Sequence, residues 1–133
     1  MRVVLDTNVL VSGLLSESGP PGLILDMAEG GRLSVLYDDR VMAEYRDVLG
    51  RPHFPFRAEA VAAILALFVE KGERVEPVPL AVELPDPDDL PFLEVAVAGR
   101  ADALVTGNGR HFPPARCAVP VLSPAAFLAV LMS

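Results

Sequence analysis

Short apolar runs that are rich in β-branched residues, each followed by polar residues, recur along the chain and predict buried parallel strands. The first run is Val3–Leu5, which ends in the polar turn Asp6-Thr7-Asn8. Further strands are predicted at Leu33–Tyr37, Ala103–Thr106 and Val119–Leu122, with a shorter one at Arg74–Glu76. Each predicted strand thus has polar side chains directly beyond it.

The segments between these runs have apolar residues at helical spacing and predict helices. Proline and aspartate mark their starts, and glycine marks most of their ends. The predicted helices are Pro20 to Gly30, Asp38 to about Leu49, residues 58–71, a helix from Asp88 or Asp89 onward, and Pro124 to Met132. Because strands and helices alternate, we expect a single α/β domain over residues 1–133, with helices on both faces of a parallel sheet.

Composition limits the classes of protein to consider. Hydrophobic residues make up 52 % of the chain, which suits one buried core and a subunit interface. No apolar run approaches the roughly 20 residues of a membrane span and no signal peptide is evident, so we expect a cytoplasmic protein without membrane contact. Cys117 is the only cysteine, which excludes an intrachain disulfide. The net charge of −7 argues against a general nucleic-acid binder but not against a metal-dependent nuclease.

Two acids that are far apart in the sequence occupy positions where a carboxylate needs a binding partner. Asp6 follows the first strand at its carboxyl end, the edge where parallel sheets bind ligands, although a turn or helix cap explains it equally well. Glu44 borders the apolar stripe of its helix, where a charge is costly unless it is paired or bound to metal. Pairing with Arg40, one turn away, is the structural alternative for Glu44.

A cluster of acids and a polar turn add to these two. Asp86, Asp88 and Asp89 stand within four residues at the start of a helix. One of them can cap that helix, and the repulsion among the three favours a nearby cation. Asn108 lies just beyond the Ala103–Thr106 strand. It is explained either as a turn residue or as a neutral oxygen ligand. Asp102 stands at the opposite end of that strand and is expected to be structural.

These polar groups come from segments that can converge beyond one edge of the sheet. Asp6, Glu44, an acid of the 86–89 cluster and Asn108 would supply oxygen ligands only. Oxygen ligands suit Mg²⁺ or Mn²⁺ rather than zinc. Such a metal can activate water and stabilise the charge that develops on a phosphate.

The same residues fall in four ordered motifs that resemble those of PIN domains. Residues 4–12 (VLDTNVLVS) resemble the first motif. Residues 44–52 (EYRDVLGRP) resemble the second, as it occurs in the VapC-like subgroup of toxins from toxin–antitoxin pairs. Residues 86–96 (DPDDLPFLEVA) and 101–108 (ADALVTGN) resemble the third and fourth. The resemblance extends from residue 2 to about residue 112.

The resemblance implies a three-layer α/β/α fold with a five-stranded parallel sheet, and Mg²⁺- or Mn²⁺-dependent cleavage of RNA. On the family pattern Asp6, Glu44 and Asp89 would be the catalytic metal ligands. Asp86 and Asp88 are the alternatives for the third ligand. Asp89 matches the pattern best because it opens the following helix, seven residues before Ala96.

The fourth acidic position of the family falls on Asn108, which is a departure. A neutral side chain there weakens a second metal site, so the action of one metal, or low activity, is expected. Thr7 and Asn8 would support the first ligand by hydrogen bonding. Thr106 would help to orient metal-bound water.

The resemblance also implies partners, namely an RNA substrate and a cognate antitoxin protein. The surplus of apolar residues, with exposed-looking positions in the 58–71 helix and the closing helix, predicts a homodimer. A catalytically weak PIN domain that acts mainly as a protein- or RNA-binding module stays open as an alternative because of Asn108.

A phospho-receiver domain has a comparable sheet with acids at its strand ends. It would need a lysine at the last strand, whereas the only lysine, Lys71, lies at the end of the 58–71 helix, which argues against this class. His53, His111 and Cys117 show no metal-ligand spacing and are assigned no role.

Overall fold

The computed structural model describes all residues, 1–133, and its strands form one sheet. The strands are β1 (Arg2–Leu5), β2 (Ser34–Tyr37), β3 (Glu73–Arg74), β4 (Ala103–Val105) and β5 (Val121–Leu122). Their order across the sheet is β3-β2-β1-β4-β5, and all neighbouring pairs are parallel. The first strand is therefore central, as expected for its uninterrupted apolar run.

Helices flank the sheet and complete the expected three-layer α/β/α fold. They are α1 (Thr7–Leu15), α2 (Pro20–Glu29), α3 (Asp39–Leu49), α4 (Ala58–Lys71), α5 (Leu90–Ala98) and α6 (Pro124–Leu131). Single 3-10 turns lie at Pro87–Asp89, Gly109–His111 and Pro114–Arg116. None of the helices has the combined length and hydropathy that a membrane crossing requires.

The pairing of β1 with β4 brings two polar segments to the same edge of the sheet. Leu5 pairs with Val105, the last residues of their strands. The backbone N–H of Asp6 then donates to the Val105 carbonyl at 2.9 Å. The residues after both strands, Asp6 and Thr106, are consequently neighbours at the carboxyl edge.

Aromatic packing fixes α3 against the end of β1. The ring of Tyr45 lies 6.0 Å from that of Phe68 in α4 and 6.2 Å from that of Phe92 in α5, measured between centroids. The buried Tyr45 hydroxyl donates a hydrogen bond to the Leu5 carbonyl. Glu44 directly precedes Tyr45 in α3. This hydrogen bond therefore places the part of α3 that carries Glu44 beside Asp6, the residue that follows β1.

A buried carboxylate that the sequence analysis did not single out holds the loop before the 3-10 turn at 87–89. Glu94 in α5 is 5 % exposed, and one of its oxygens accepts a hydrogen bond from the Leu80 backbone N–H at 2.7 Å. Its other oxygen pairs with Arg40 at 2.8 Å. Arg40 also binds Asp38, the N-cap of α3, at 2.8 Å. Glu94 therefore has a structural explanation.

The structure corrects three predicted elements. A helix, α1, begins at Thr7, where the sequence predicted only a polar turn; its apolar run is nearly continuous and hides the helical period. The third strand is Glu73–Arg74 rather than Arg74–Glu76, because its partner β2 ends at Tyr37. The fifth strand begins after Pro120, which has no N–H to donate to a ladder.

We predict that Gly72→Ala destabilises the fold by about 1–3 kcal/mol, the usual cost of overpacking. A Cβ on Gly72 would lie 2.3 Å from the Val35 carbonyl oxygen and 2.4 Å from the Phe68 carbonyl oxygen, so backbone must move. Gly30→Ala is the matched control, since its nearest atom would be 3.5 Å away. Urea unfolding measures both variants, and equal stability of Gly72→Ala and the parent would contradict the close packing described here.

Candidate metal centre

The carboxylate of Asp6 is held by hydrogen bonds on both oxygens. Asp6 is 6 % exposed, and its Oδ1 accepts a hydrogen bond from the Thr7 backbone N–H at 2.8 Å, which caps α1. Its Oδ2 accepts hydrogen bonds from the Thr106 hydroxyl at 2.8 Å and from Asn8 Nδ2 at 3.3 Å. The cap predicted for Asp6 is confirmed, and the same carboxylate is also fixed in orientation by Thr106 and Asn8.

The turn after β4 is tied to the start of α1 by the same group of side chains. The Asn108 backbone N–H donates to the Thr106 hydroxyl oxygen at 3.0 Å. The Gly107 backbone N–H donates to Asn8 Oδ1 at 3.0 Å. The candidate supporting residues Thr106 and Asn8 therefore fix the Asn108 turn as well as Asp6.

Glu44 points toward Asp6 rather than along its own helix. The Thr7 hydroxyl donates a hydrogen bond to Glu44 Oε2. The alternative pairing of Glu44 with Arg40 is wrong, because Arg40 binds Asp38 and Glu94. Thr7, the third candidate supporting residue, thus links Glu44 to the first turn of α1.

The three aspartates before α5 have different environments. The side chain of Asp86 caps the 3-10 turn Pro87–Asp89, because its Oδ1 accepts from the Asp88 N–H at 3.0 Å. Asp89 occupies the N-cap position of α5 without such a bond. The side chain of Asp89 is 13 % exposed, whereas Asp88 is exposed. Asp89 is therefore more enclosed than Asp88, and both of its carboxylate oxygens are free of capping.

The structure brings His111, to which the sequence assigned no role, into contact with the acidic cluster. The atoms that Asp86, Asp89 and His111 offer as ligands lie within 4.8 Å of one another. His111 Nδ1 is 2.8 Å from Asp89 Oδ2. The signal in the sequence for this contact is that His111 lies three residues after Asn108. A 3-10 turn over this spacing brings the two side chains together. His53 and Cys117 are not part of this cluster.

Burial and mutual repulsion raise the pKa of the carboxyl groups at this edge. Burial raises the pKa of Asp6, and the negative charge of Asp86 adds to the effect. Burial and the charges of Asp6 and Asp88 raise the pKa of Glu44, against the lowering effect of its bond from Thr7. Burial and then the charge of Asp6 raise the pKa of Asp89 to about 6. The acids of separate segments are therefore within electrostatic reach of one another.

The residues at this edge fit a divalent cation. Asp89 Oδ2 is buried and has no well-directed hydrogen bond, despite the nearby His111 nitrogen. A buried carboxylate without a well-directed hydrogen bond is costly unless a cation binds it. Carboxylate and amide oxygens are the ligands that Mg²⁺ and Mn²⁺ prefer. Asp102, by contrast, accepts from the Arg2 backbone N–H at 2.9 Å at the opposite edge, as expected for a structural residue.

Comparison with known proteins identifies the family. The PIN domain matches residues 2–110, and the chain belongs to the PIN-domain family. PIN domains are generally nucleases, and they use divalent metals. No curated protein shows a significant match. Among solved structures, a chain of VapBC2 from Rickettsia felis, bound to a DNA fragment from the promoter, has 18 % identity and a TM-score of 0.61. The alignment covers 92 % of this chain and 98 % of that chain, and shows the fold.

The electrostatics predict that Asp89→Asn stabilises the metal-free protein at neutral pH. The pKa of Asp89 is raised from 3.8 to about 6 in the folded state, so folding favours the protonated form. The parent therefore loses stability as pH rises through the window from 3.8 to about 6, and the variant does not.

Melting temperatures in chelator at pH about 4 and about 7 measure this effect. The advantage of Asp89→Asn over the parent should grow toward neutral pH. Asp26→Asn, an exposed change in α2, is the control and should show no such trend. A constant difference between Asp89→Asn and the parent at both values would mean that Asp89 does not experience this repulsion.

Proposed function

We propose that this protein is a ribonuclease that depends on Mg²⁺ or Mn²⁺, and that it is the toxin of a toxin–antitoxin pair. The observation that carries the proposal is that Asp6, Glu44 and Asp89 lie at one sheet edge, where burial first and the charges of neighbouring acids second raise the pKa of each. Carboxylates held together in this way are unfavourable alone and favourable around a cation.

In this proposal Asp6, Glu44 and Asp89 hold the cation, and Asp86 is close enough to assist. A bound divalent metal would lower the pKa of a water molecule and neutralise the charge that develops on the phosphate. Asn108 contributes a neutral oxygen where the family has an acid, so the proposal favours one metal rather than two. Asp88, which is exposed, acts only through its charge.

Other side chains position these groups and the substrate. The hydrogen bonds from Thr106 and Asn8 fix the Asp6 carboxylate, and the bond from Thr7 fixes Glu44. Arg110 is exposed in the turn that carries His111, and no carboxylate lies within salt-bridge distance of it. Its guanidinium is therefore available for a phosphate of the RNA backbone.

An antitoxin and a second copy of the chain are the proposed protein partners. The solved complex with a similar fold is VapBC2 bound to promoter DNA, which supports an antitoxin by analogy only. An apolar groove of about 470 Å³ lies between the end of α3 and α4, lined by Leu49, Phe56, Val61, Leu65 and Val69 among others. Apolar grooves of this kind mark interaction surfaces.

We predict that Asp6→Asn, Glu44→Gln and Asp89→Asn each lower Mn²⁺-dependent RNA cleavage by about a hundredfold or more, without unfolding the protein. Each change removes a charge from the proposed cation site and keeps the side-chain shape. Cleavage of a labelled RNA and of a DNA of the same sequence, with Mg²⁺, with Mn²⁺ or with chelator, measures the effect and the preference for RNA.

Asp102→Asn is the matched control and should keep the parent activity, since Asp102 lies at the opposite edge of the sheet. Full activity of Asp89→Asn, together with an inactive Asp86→Asn, would move the third ligand to Asp86. A parent that binds Mn²⁺ at this site and cleaves no RNA would favour the second candidate function, a binding module, for which the neutral Asn108 is the supporting observation.

We also predict a homodimer in solution at tens of micromolar. Val69 in the groove is 56 % exposed, and Val69→Asp would place a charge in a contact made through that groove. Light scattering should show the parent as a dimer and Val69→Asp shifted toward the monomer. Val78→Asp, at a position that is 65 % exposed and outside the groove, should remain a dimer. A monomeric parent would leave the groove to the antitoxin.

A further inference from the structure

The imidazole of His111 stands between two candidate ligands and contacts both. Its Nδ1 lies 2.8 Å from Asp89 Oδ2, and its Nε2 lies 3.0 Å from Asn108 Nδ2. The 3-10 turn Gly109–His111, closed by the bond from the His111 N–H to the Asn108 carbonyl at 3.1 Å, sets this position. No other side chain touches both Asp89 and Asn108 through hydrogen-bonding atoms.

The chemistry of these contacts fixes the direction of each. An amide nitrogen only donates, so Asn108 Nδ2 donates to Nε2, and the proton of the neutral ring is on Nδ1. A proton on Nδ1 also suits its 2.8 Å approach to a carboxylate oxygen, because two lone pairs at that distance would repel each other. The arrangement leaves Asn108 Oδ1 and Asp89 Oδ1 without bonds to His111.

We propose that His111 is a positioning residue, which turns the oxygen of the Asn108 amide and one oxygen of Asp89 toward the cation. The proposal rests on the proposed function, in which these two residues belong to the metal site. An amide without such a partner can rotate by half a turn and present its NH₂ group, which repels a cation. A single imidazole prevents this rotation and holds the neighbouring carboxylate at the same time.

The competing role for the ring is direct binding of the metal, since imidazole nitrogen is also a ligand for Mn²⁺-like ions. Direct binding would require His111 to give up its contact with either Asp89 or Asn108. The two roles differ in a measurable property. A nitrogen bound directly to Mn²⁺ gives a strong ¹⁴N coupling in pulsed electron paramagnetic resonance. An imidazole that contacts only the ligands of the metal does not.

The first experiment measures the dissociation constant of Mn²⁺ from the resonance signal of the free ion, without any activity assay. His111→Ala should weaken Mn²⁺ binding by about tenfold or more, the usual effect of losing an outer-shell partner. His111→Gln should restore most of the affinity, because its amide can donate to Asp89 and accept from Asn108. His53→Ala removes the other histidine and should bind Mn²⁺ as the parent does. Circular dichroism of the metal-free variants verifies that they are folded.

A double-variant comparison tests the route through Asn108. Asn108→Ala and His111→Ala should be non-additive, so that the double variant loses less affinity than the product of the two single losses. Additive losses would overturn the positioning role, and so would a strong ¹⁴N coupling that disappears in His111→Ala.

The outcomes also separate this inference from the proposed function. A parent that binds no Mn²⁺, or an Asp6→Asn variant that binds it unchanged, would remove the metal site itself. If the parent binds Mn²⁺ and Asp6→Asn does not, while His111→Ala binds as the parent does, the metal site stands. Only the positioning role of His111 is then wrong.

Discussion

The hydrogen bond from the Thr106 hydroxyl to the buried carboxylate of Asp6 joins the ends of the two central strands at the edge where the candidate site lies. The same carboxylate caps α1 through the Thr7 N–H, and Thr7 in turn donates to Glu44. The side chains of Asp6 and Thr7 therefore connect β1, β4, α1 and α3. Because a buried carboxylate is costly without partners, these elements can pack only in an arrangement that supplies them.

That arrangement concentrates negative charge, so the site works against the stability of the metal-free fold. Burial first, and the charges of neighbouring acids second, raise the pKa of Asp6, Glu44 and Asp89. The fold tolerates this cost because the carboxylates lie only at the carboxyl edge of the sheet. Below this edge, residues Val3 to Leu5 of β1 are fully buried, and the Tyr45 hydroxyl joins α3 to the carbonyl of Leu5. A packed core thus stabilises an edge whose buried carboxylates are unfavourable in the metal-free fold.

The order of the strands and five of the six helices could be predicted from the sequence, because both follow from local rules. Residues 58–71 and the N-cap Asp38 follow from helical spacing and capping alone. Features that depend on contacts between segments could not be predicted: β3 is short because its partner β2 ends at Tyr37. The 3-10 turn Pro87–Asp89, which Asp86 caps, was also not predicted. Glu94 was not singled out, since its partners Arg40 and Leu80 come from other segments.

The neutral residue at position 108 and the histidine that contacts it belong together in physical terms. Both oxygens of a carboxylate accept, so a carboxylate at this position would face a cation correctly in either rotamer. An amide has one correct orientation and one repelling orientation, and it therefore needs a fixed partner for its nitrogen. His111 Nε2 is such a partner, 3.0 Å away. With Asn108 in place of an acid, the repulsion among the remaining carboxylates is lower. A carboxylate needs no fixed orientation because its two oxygens are equivalent, whereas the amide of Asn108 is oriented by the imidazole of His111.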